Sequence, residues 1–133
     1  MLSRWRATRS PTPGLYMLRH IEGLNYLAAP YSHTDPWVRE ERYKQALRAT
    51  VKLLRGGHVV FSPLVHTHET GKSLSKAVDH DFWINQDIPI LKASQRLLVL
   101  LLDGWKHSKG VAAEVSIAVK NNIDVVYVMP EDL

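Results

Sequence analysis

The sequence predicts an α/β domain of three layers, with helices on both faces of a parallel sheet. Short apolar runs alternate with longer segments of helical periodicity, the runs are almost continuously apolar, and proline or glycine closes several of them. A chain of 133 residues suffices for one core, so a single domain with a single site is expected.

The elements follow in order. Leu24 to Ala28 reads as a short buried strand closed by Ala29-Pro30. Asp35-Pro36 supplies a cap and a first-turn proline for a helix whose apolar face is Tyr43, Ala46, Leu47, Thr50, Val51 and Leu54, ended by Gly56-Gly57. His58 to Ser62 is a second strand, and from Pro63 a polar loop carrying two histidines is expected. A helix from about Asp81 to Lys92 should kink or restart at Pro89, which lacks an amide donor. Arg96 to Leu102 is a third strand, Ser108 to Asn121 a helix and Asp124 to Met129 a fourth strand.

Composition narrows the function classes. The longest apolar run, Leu97 to Leu102, falls far short of the ~20 residues that span a bilayer, so no membrane partner is expected. The absence of cysteine removes disulfide and thiolate chemistry and suits a reducing, cytoplasmic interior. The net charge of +4 is concentrated in residues 1–20, where Arg4, Arg6, Arg9 and Arg19 meet no acid. The other 113 residues carry 13 basic and 13 acidic side chains, so a nucleic-acid partner is not expected. Residues 1–22 read as a basic, flexible leader faintly like a transit peptide, with Met17 an alternative start, and residues 23–133 as the folded domain.

In parallel α/β sheets ligands bind beyond the carboxyl ends of the strands, where strand order reverses. Tyr31 and Ser32 follow the first strand and are candidate ligand contacts. Asp103 to Gly110 bridges the third strand and the next helix, placing Ser108 and Gly110 at a helix N-terminus suited to an anion, although Ser108 can equally be a plain cap. Glu114 lies six residues after Ser108 among small apolar residues. A carboxylate near a helix N-terminus is favoured in its charged form, as a nucleophile must be, whereas most helix glutamates are simply solvated. Asp87 adjoins an apolar face; pointing into the cleft, it would give two carboxyls with divided roles, the arrangement of glycoside cleavage. His66 and His68 with Asp79, His80 and Asp81 offer nitrogen and oxygen donors but no tight ligand spacing, so no metal and no cofactor is expected. Trp83 and Trp105 read as packing residues.

Taken together, Tyr26-Leu27-Ala28-Ala29-Pro30-Tyr31, Asp87, Asp103-Gly104 and Ser108-x-Gly110-Val111-x-x-Glu114 resemble the nucleoside 2-deoxyribosyltransferase superfamily, in particular a bacterial and phage branch catalogued as a domain of unknown function. The likeness runs from Asn25 to Pro130. Ala29, Gln95 and Ser116 depart from its usual glycine, aspartate and glycine.

The resemblance implies a flavodoxin-like or Rossmann-like sheet of four to five strands in the order 2-1-3-4(-5), and a retaining reaction on an N-glycosidic bond. Glu114 would attack the anomeric carbon, Asp87 would orient the sugar or protonate the departing base, and Tyr31, Ser32, Asp103, Ser108 and Gly110 would hold the substrate. Serine at 108, where transferases of free nucleosides tend to carry an acid, makes the motif similar to that of 2′-deoxynucleoside 5′-monophosphate N-glycosidases. A homodimer or homotetramer is implied by analogy. Two other readings stand beside this one: a nucleotide-sensing module that keeps the cleft without chemistry, and a metal-dependent hydrolase built on His66 and His68.

Overall fold

The computed structural model describes residues 18–74 and 80–133. Four strands, β1 (Asn25–Ala28), β2 (Val60–Phe61), β3 (Arg96–Leu100) and β4 (Asp124–Val128), form one parallel sheet in the order β2-β1-β3-β4. Four helices accompany it: α1 (Pro36–Arg55), α2 (Pro63–Lys72), α3 (His80–Lys92) and α4 (Lys109–Lys120). The three-layer α/β/α architecture and the 2-1-3-4 order are as expected, with four strands among the described residues.

Alternation along the strands makes the layers. Successive side chains of a strand point to opposite faces. Leu98 and Leu100 of β3 join Leu27, Val126 and Val128 against Ala49 and Leu53 of α1. Leu97 and Val99 join Tyr26, Ala28 and Val125 against Leu91 of α3 and Val111 and Ala118 of α4. With both faces covered, every residue of β1 and β3 is buried, which explains the apolar run after the first residue of each, while the polar residues that open them, Asn25 and Arg96, bond each other at 2.6 Å.

Helix ends are set locally. Asp35 caps α1 by accepting from the Trp37 amide at 2.9 Å, with Pro36 in the first turn. Ser62 and Pro63 repeat the device, Ser62 Oγ accepting from the Val65 amide at 3.2 Å. The segment expected as a polar loop is therefore the helix α2. Helix α3 continues through Pro89, and β3 ends at Leu100 rather than Leu102.

Contacts with the folded domain extend ahead of residue 23. Leu18 is buried in the α1-side core, the Arg19 carbonyl accepts from Arg96 Nη1 at 2.8 Å, and the His20 ring stacks on His58 at 4.2 Å. This part of the expected leader is packed onto the amino-terminal edge of the sheet; residues 1–17 lie outside the described residues. No helix among the described residues is long and apolar enough to cross a membrane.

From β1 the chain crosses to β2 on one side, while β3 lies on the other. The loops after β1 and β3 therefore diverge from adjacent strand ends and open a crevice between them, as strand-order reversal does in open α/β sheets.

Candidate active site

That crevice is a cleft of about 1020 Å³. Glu114, Asp87, Tyr31, Ser32, Ser108 and Gly110 all line it, so six of the seven site residues expected from the sequence come together. Asp103 does not. Its side chain is exposed, and it contributes its carbonyl, which accepts from Arg42 Nη2 at 3.0 Å, because the chain turns away at Gly104 in the left-handed conformation (φ +87°).

Glu114 sits in the second turn of α4 with only 6% of its surface exposed. Its Oε2 accepts from the hydroxyl of Tyr26, itself fully buried on β1, at 2.5 Å. The electrostatic expectation for this residue is reversed. Burial pushes the Glu114 carboxyl up to about 8; the Tyr26 hydrogen bond opposes the push and the nearby Asp87 charge adds to it. Removal of water outweighs the favourable end of the helix, so the resting carboxyl holds a proton at neutral pH.

Asp87 on α3 is also buried, and its carboxyl is pushed up to about 6 by desolvation, with His66 acting the other way. At neutral pH the two carboxyls hold close to one proton between them, resting on Glu114.

Ser108 caps α4, its Oγ accepting from the Val111 amide at 3.2 Å, and it also lines the cleft. The first intrahelical bond runs from the Ala112 amide to the Ser108 carbonyl, which leaves the amides of Lys109 and Gly110 without an intrahelical partner at the cleft wall. Arg39, Lys72 and Lys109 line the same space, giving a cationic rim above two acidic groups.

Three features escaped the sequence reading. Tyr26 enters the sequence reading as a strand residue and a member of the quoted motif, with no role of its own, yet its hydroxyl is the partner of Glu114. Arg42 ties the two cleft loops together, donating to the carbonyls of Tyr31, Ser32 and Asp103. His68, placed in an expected loop, is buried on α2, with Nδ1 2.9 Å from the Tyr31 hydroxyl and Nε2 3.1 Å from Glu40 Oε1. Both its ring nitrogens are engaged by protein, which does not fit a metal ligand. Of the other donors considered, His66 lies tilted against Phe61 with ring centroids 5.8 Å apart, and Asp79 and the side chain of His80 lie outside the described residues. No group of three or more His, Cys, Asp or Glu among the described residues is placed to hold a metal ion.

Comparison with known proteins places this geometry in context. The family model described as "Domain of unknown function (DUF1937)" matches residues 23–130. No curated protein matches the sequence. Among solved structures, a 2-deoxyribosyltransferase from the psychrotolerant bacterium Bacillus psychrosaccharolyticus is similar, with a TM-score of 0.56 and 22% identity over 80% of this chain and 72% of that one. That protein is described as a biocatalyst for the synthesis of antiviral and antitumoral nucleosides. The fold is thus that of a nucleoside deoxyribosyltransferase.

Proposed function

The chain belongs to the DUF1937 family, and from that premise and the chemistry of the cleft we propose that it cleaves or exchanges the N-glycosidic bond of a deoxyribonucleoside or its 5′-monophosphate. The observation that carries the reading is the buried Glu114 beside Asp87, held by the Tyr26 hydroxyl at the strand-order switch point. A pair of carboxyls in unequal environments is what glycoside chemistry requires, and the fold shared with a 2-deoxyribosyltransferase supports it.

The roles follow from the shared proton. On ligand entry the proton passes from Glu114 to Asp87. The Glu114 carboxylate attacks the anomeric carbon, forming a C–O ester bond as the C–N bond breaks and its electron pair leaves with the base. Asp87 returns the proton to that base. Water or the N–H of a second base then displaces the ester, losing its proton to Asp87 as Glu114 leaves as a carboxylate, and that proton returns to Glu114 to restore the resting pair. Swapping the proton against the resting preference, from about 8 to about 6, costs about 3 kcal/mol, small beside the barrier of the chemical step.

At the start of α4, Ser108 and the amides of Lys109 and Gly110 offer donors, and the Lys109 side chain offers charge, to a 5′-phosphate. This favours the monophosphate over the free nucleoside.

The test is chromatographic detection of free base after incubation with deoxyribonucleosides and their 5′-monophosphates, with and without a second base. Turnover that Glu114→Ala lacks supports the reading, and turnover retained in that variant overturns it. One observation favours a second reading. A carboxyl that keeps its proton at neutral pH is a poor nucleophile, as expected of a module that binds nucleotides without cleaving them. Calorimetric binding with no base release up to pH 9 would select it.

A further inference from the structure

The chain Tyr31–His68–Glu40 lies on the wall of the cleft, is used by neither carboxyl, and has a defined hydrogen-bond direction. Glu40 is a carboxylate that only accepts, so the His68 nitrogen facing it, Nε2, must carry a hydrogen. In the neutral ring the other nitrogen, Nδ1, is then a bare acceptor, and the Tyr31 hydroxyl 2.9 Å away must donate to it. Turning the ring over would keep its stacking on Tyr43, at 3.9 Å with the planes 12° apart, but would set ring carbons against both Tyr31 and Glu40, so this orientation is the one that satisfies both partners. With its one hydrogen committed to His68, the Tyr31 oxygen can offer the cleft only lone pairs. Burial raises the phenol further above its ordinary range, so it remains a phenol, with Arg39, Lys72, Glu40 and Glu69 balancing one another around it.

We propose that Glu40 and His68 are positioning residues that fix Tyr31 as a hydrogen-bond acceptor, so that the cleft prefers a nucleobase presenting an amino group at this wall over one presenting a carbonyl. The inference rests on the reading that a nucleobase occupies the cleft. Pro63, Leu64 and Trp83, which line the same cleft as Tyr31, offer a planar ring an apolar seat, which leaves this hydroxyl to read its polar edge. Discrimination arises because a carbonyl set against lone pairs is left unpaired and desolvated.

The experiment compares deoxyadenosine and deoxyinosine 5′-monophosphates, which differ at this edge by amino against carbonyl. Both are titrated calorimetrically at pH 8, where an ordinary imidazole is neutral, into Glu114→Gln protein, which allows no turnover. The adenine ligand is expected to bind about tenfold tighter. Tyr31→Phe should bring the ratio close to one. Glu40→Gln, on the partly exposed face of α1 and remote from the ligand, should narrow it too, because an amide can donate to Nε2, admit the other tautomer and turn the Tyr31 hydroxyl outward. A merely structural role would weaken both ligands alike. Both ligands binding with a ratio that neither variant changes overturns the inference and leaves the nucleotide reading standing. Failure of both ligands to bind any of the proteins overturns the nucleotide reading, and this inference with it.

Discussion

The Tyr26 hydroxyl donates to Glu114 Oε2 at 2.5 Å, linking the first strand to the last long helix beneath the floor of the cleft. Both residues are nearly inaccessible to water, so the phenol supplies a stabilising contact to a carboxylate that solvent cannot reach. Its own titration is driven upward by burial and by the Glu114 charge, so it acts only as a donor.

Replacing Tyr26 by Phe keeps the ring packing and removes that donor. The hydrogen bond favours ionised Glu114, so its loss raises a carboxyl already at about 8. A charge-assisted bond of about 1.5–3 kcal/mol corresponds to one to two pH units. Because the reactive pair holds one proton, on Asp87, the alkaline limb of kcat/KM, where the pair loses that proton, should therefore move up by that amount, with activity at pH 7 falling at least tenfold. An alkaline limb that stays in place in Tyr26→Phe would show that Glu114 does not control it.

Stability should fall as the solution becomes alkaline. Folded Glu114 keeps its proton up to about 8, whereas an unfolded glutamate releases it near 4.5, so between these values the folded state binds more protons and loses stability as pH rises. Above about 8 the effect levels off. His58, pushed down to about 4 by burial and by His20 and Arg96, works in the opposite direction but only below its ordinary 6.5, and Asp87 has largely ionised by then. The range from pH 6.5 to 8.5 thus isolates Glu114, with an expected loss of about 2 kcal/mol in urea unfolding. Glu114→Gln should flatten the profile and be the more stable protein at pH 8.5. The same slope in both proteins would assign it elsewhere.

Ser108 should separate capping from ligand recognition. Ser108→Ala loses the cap on α4 and about 1 kcal/mol of stability. Ser108→Asp retains a capping oxygen, so its stability should match the parent, while a second negative charge at the cleft wall repels a phosphate. Calorimetry should then show monophosphate affinity falling by on the order of tenfold or more in Ser108→Asp, with the free nucleoside little changed. Equal losses for both ligands would place the phosphate elsewhere.

Much of this arrangement was legible in the sequence, and what was hidden has physical reasons. Glu114, Asp87 and Ser108 were recognisable because each interrupts or punctuates an apolar helical pattern. Helix α2 was not, although Ser62-Pro63 carries the same start signal as Asp35-Pro36, because His66, Thr67, Glu69 and Thr70 dilute any apolar periodicity. Tyr26 reads as one more apolar strand residue; only the tertiary pairing of α4 with β1 shows where its hydroxyl points. Gln95, a departure from the family pattern, accepts from the Leu24 amide at 2.7 Å and so fixes the entry to β1, a contact between residues 71 apart that no local pattern reveals. The helix-dipole argument for Glu114 failed because burial, invisible along the chain, is the larger force.

The last prediction concerns how the cleft is held open. Arg42 Nη2 lies 2.5 Å from where a Cβ on Gly104 would stand, and Gly104 adopts φ +87°. Gly104→Ala therefore carries two costs: about 1–2 kcal/mol for a side chain in the left-handed region, and displacement of the guanidinium from the carbonyls of Ser32 and Asp103. Arg42→Ala alone releases those carbonyls and uncouples the loops after β1 and β3. In the Arg42→Ala background the second cost of Gly104→Ala has already been incurred, so the double variant should be more stable than the sum of the single losses by about 1 kcal/mol or more in urea unfolding. Because those loops carry Ser32 and Ser108, both single variants should also weaken monophosphate binding more than Tm alone would suggest. Strict additivity of the two losses would mean that the guanidinium swings aside freely and that the loops are not joined through it.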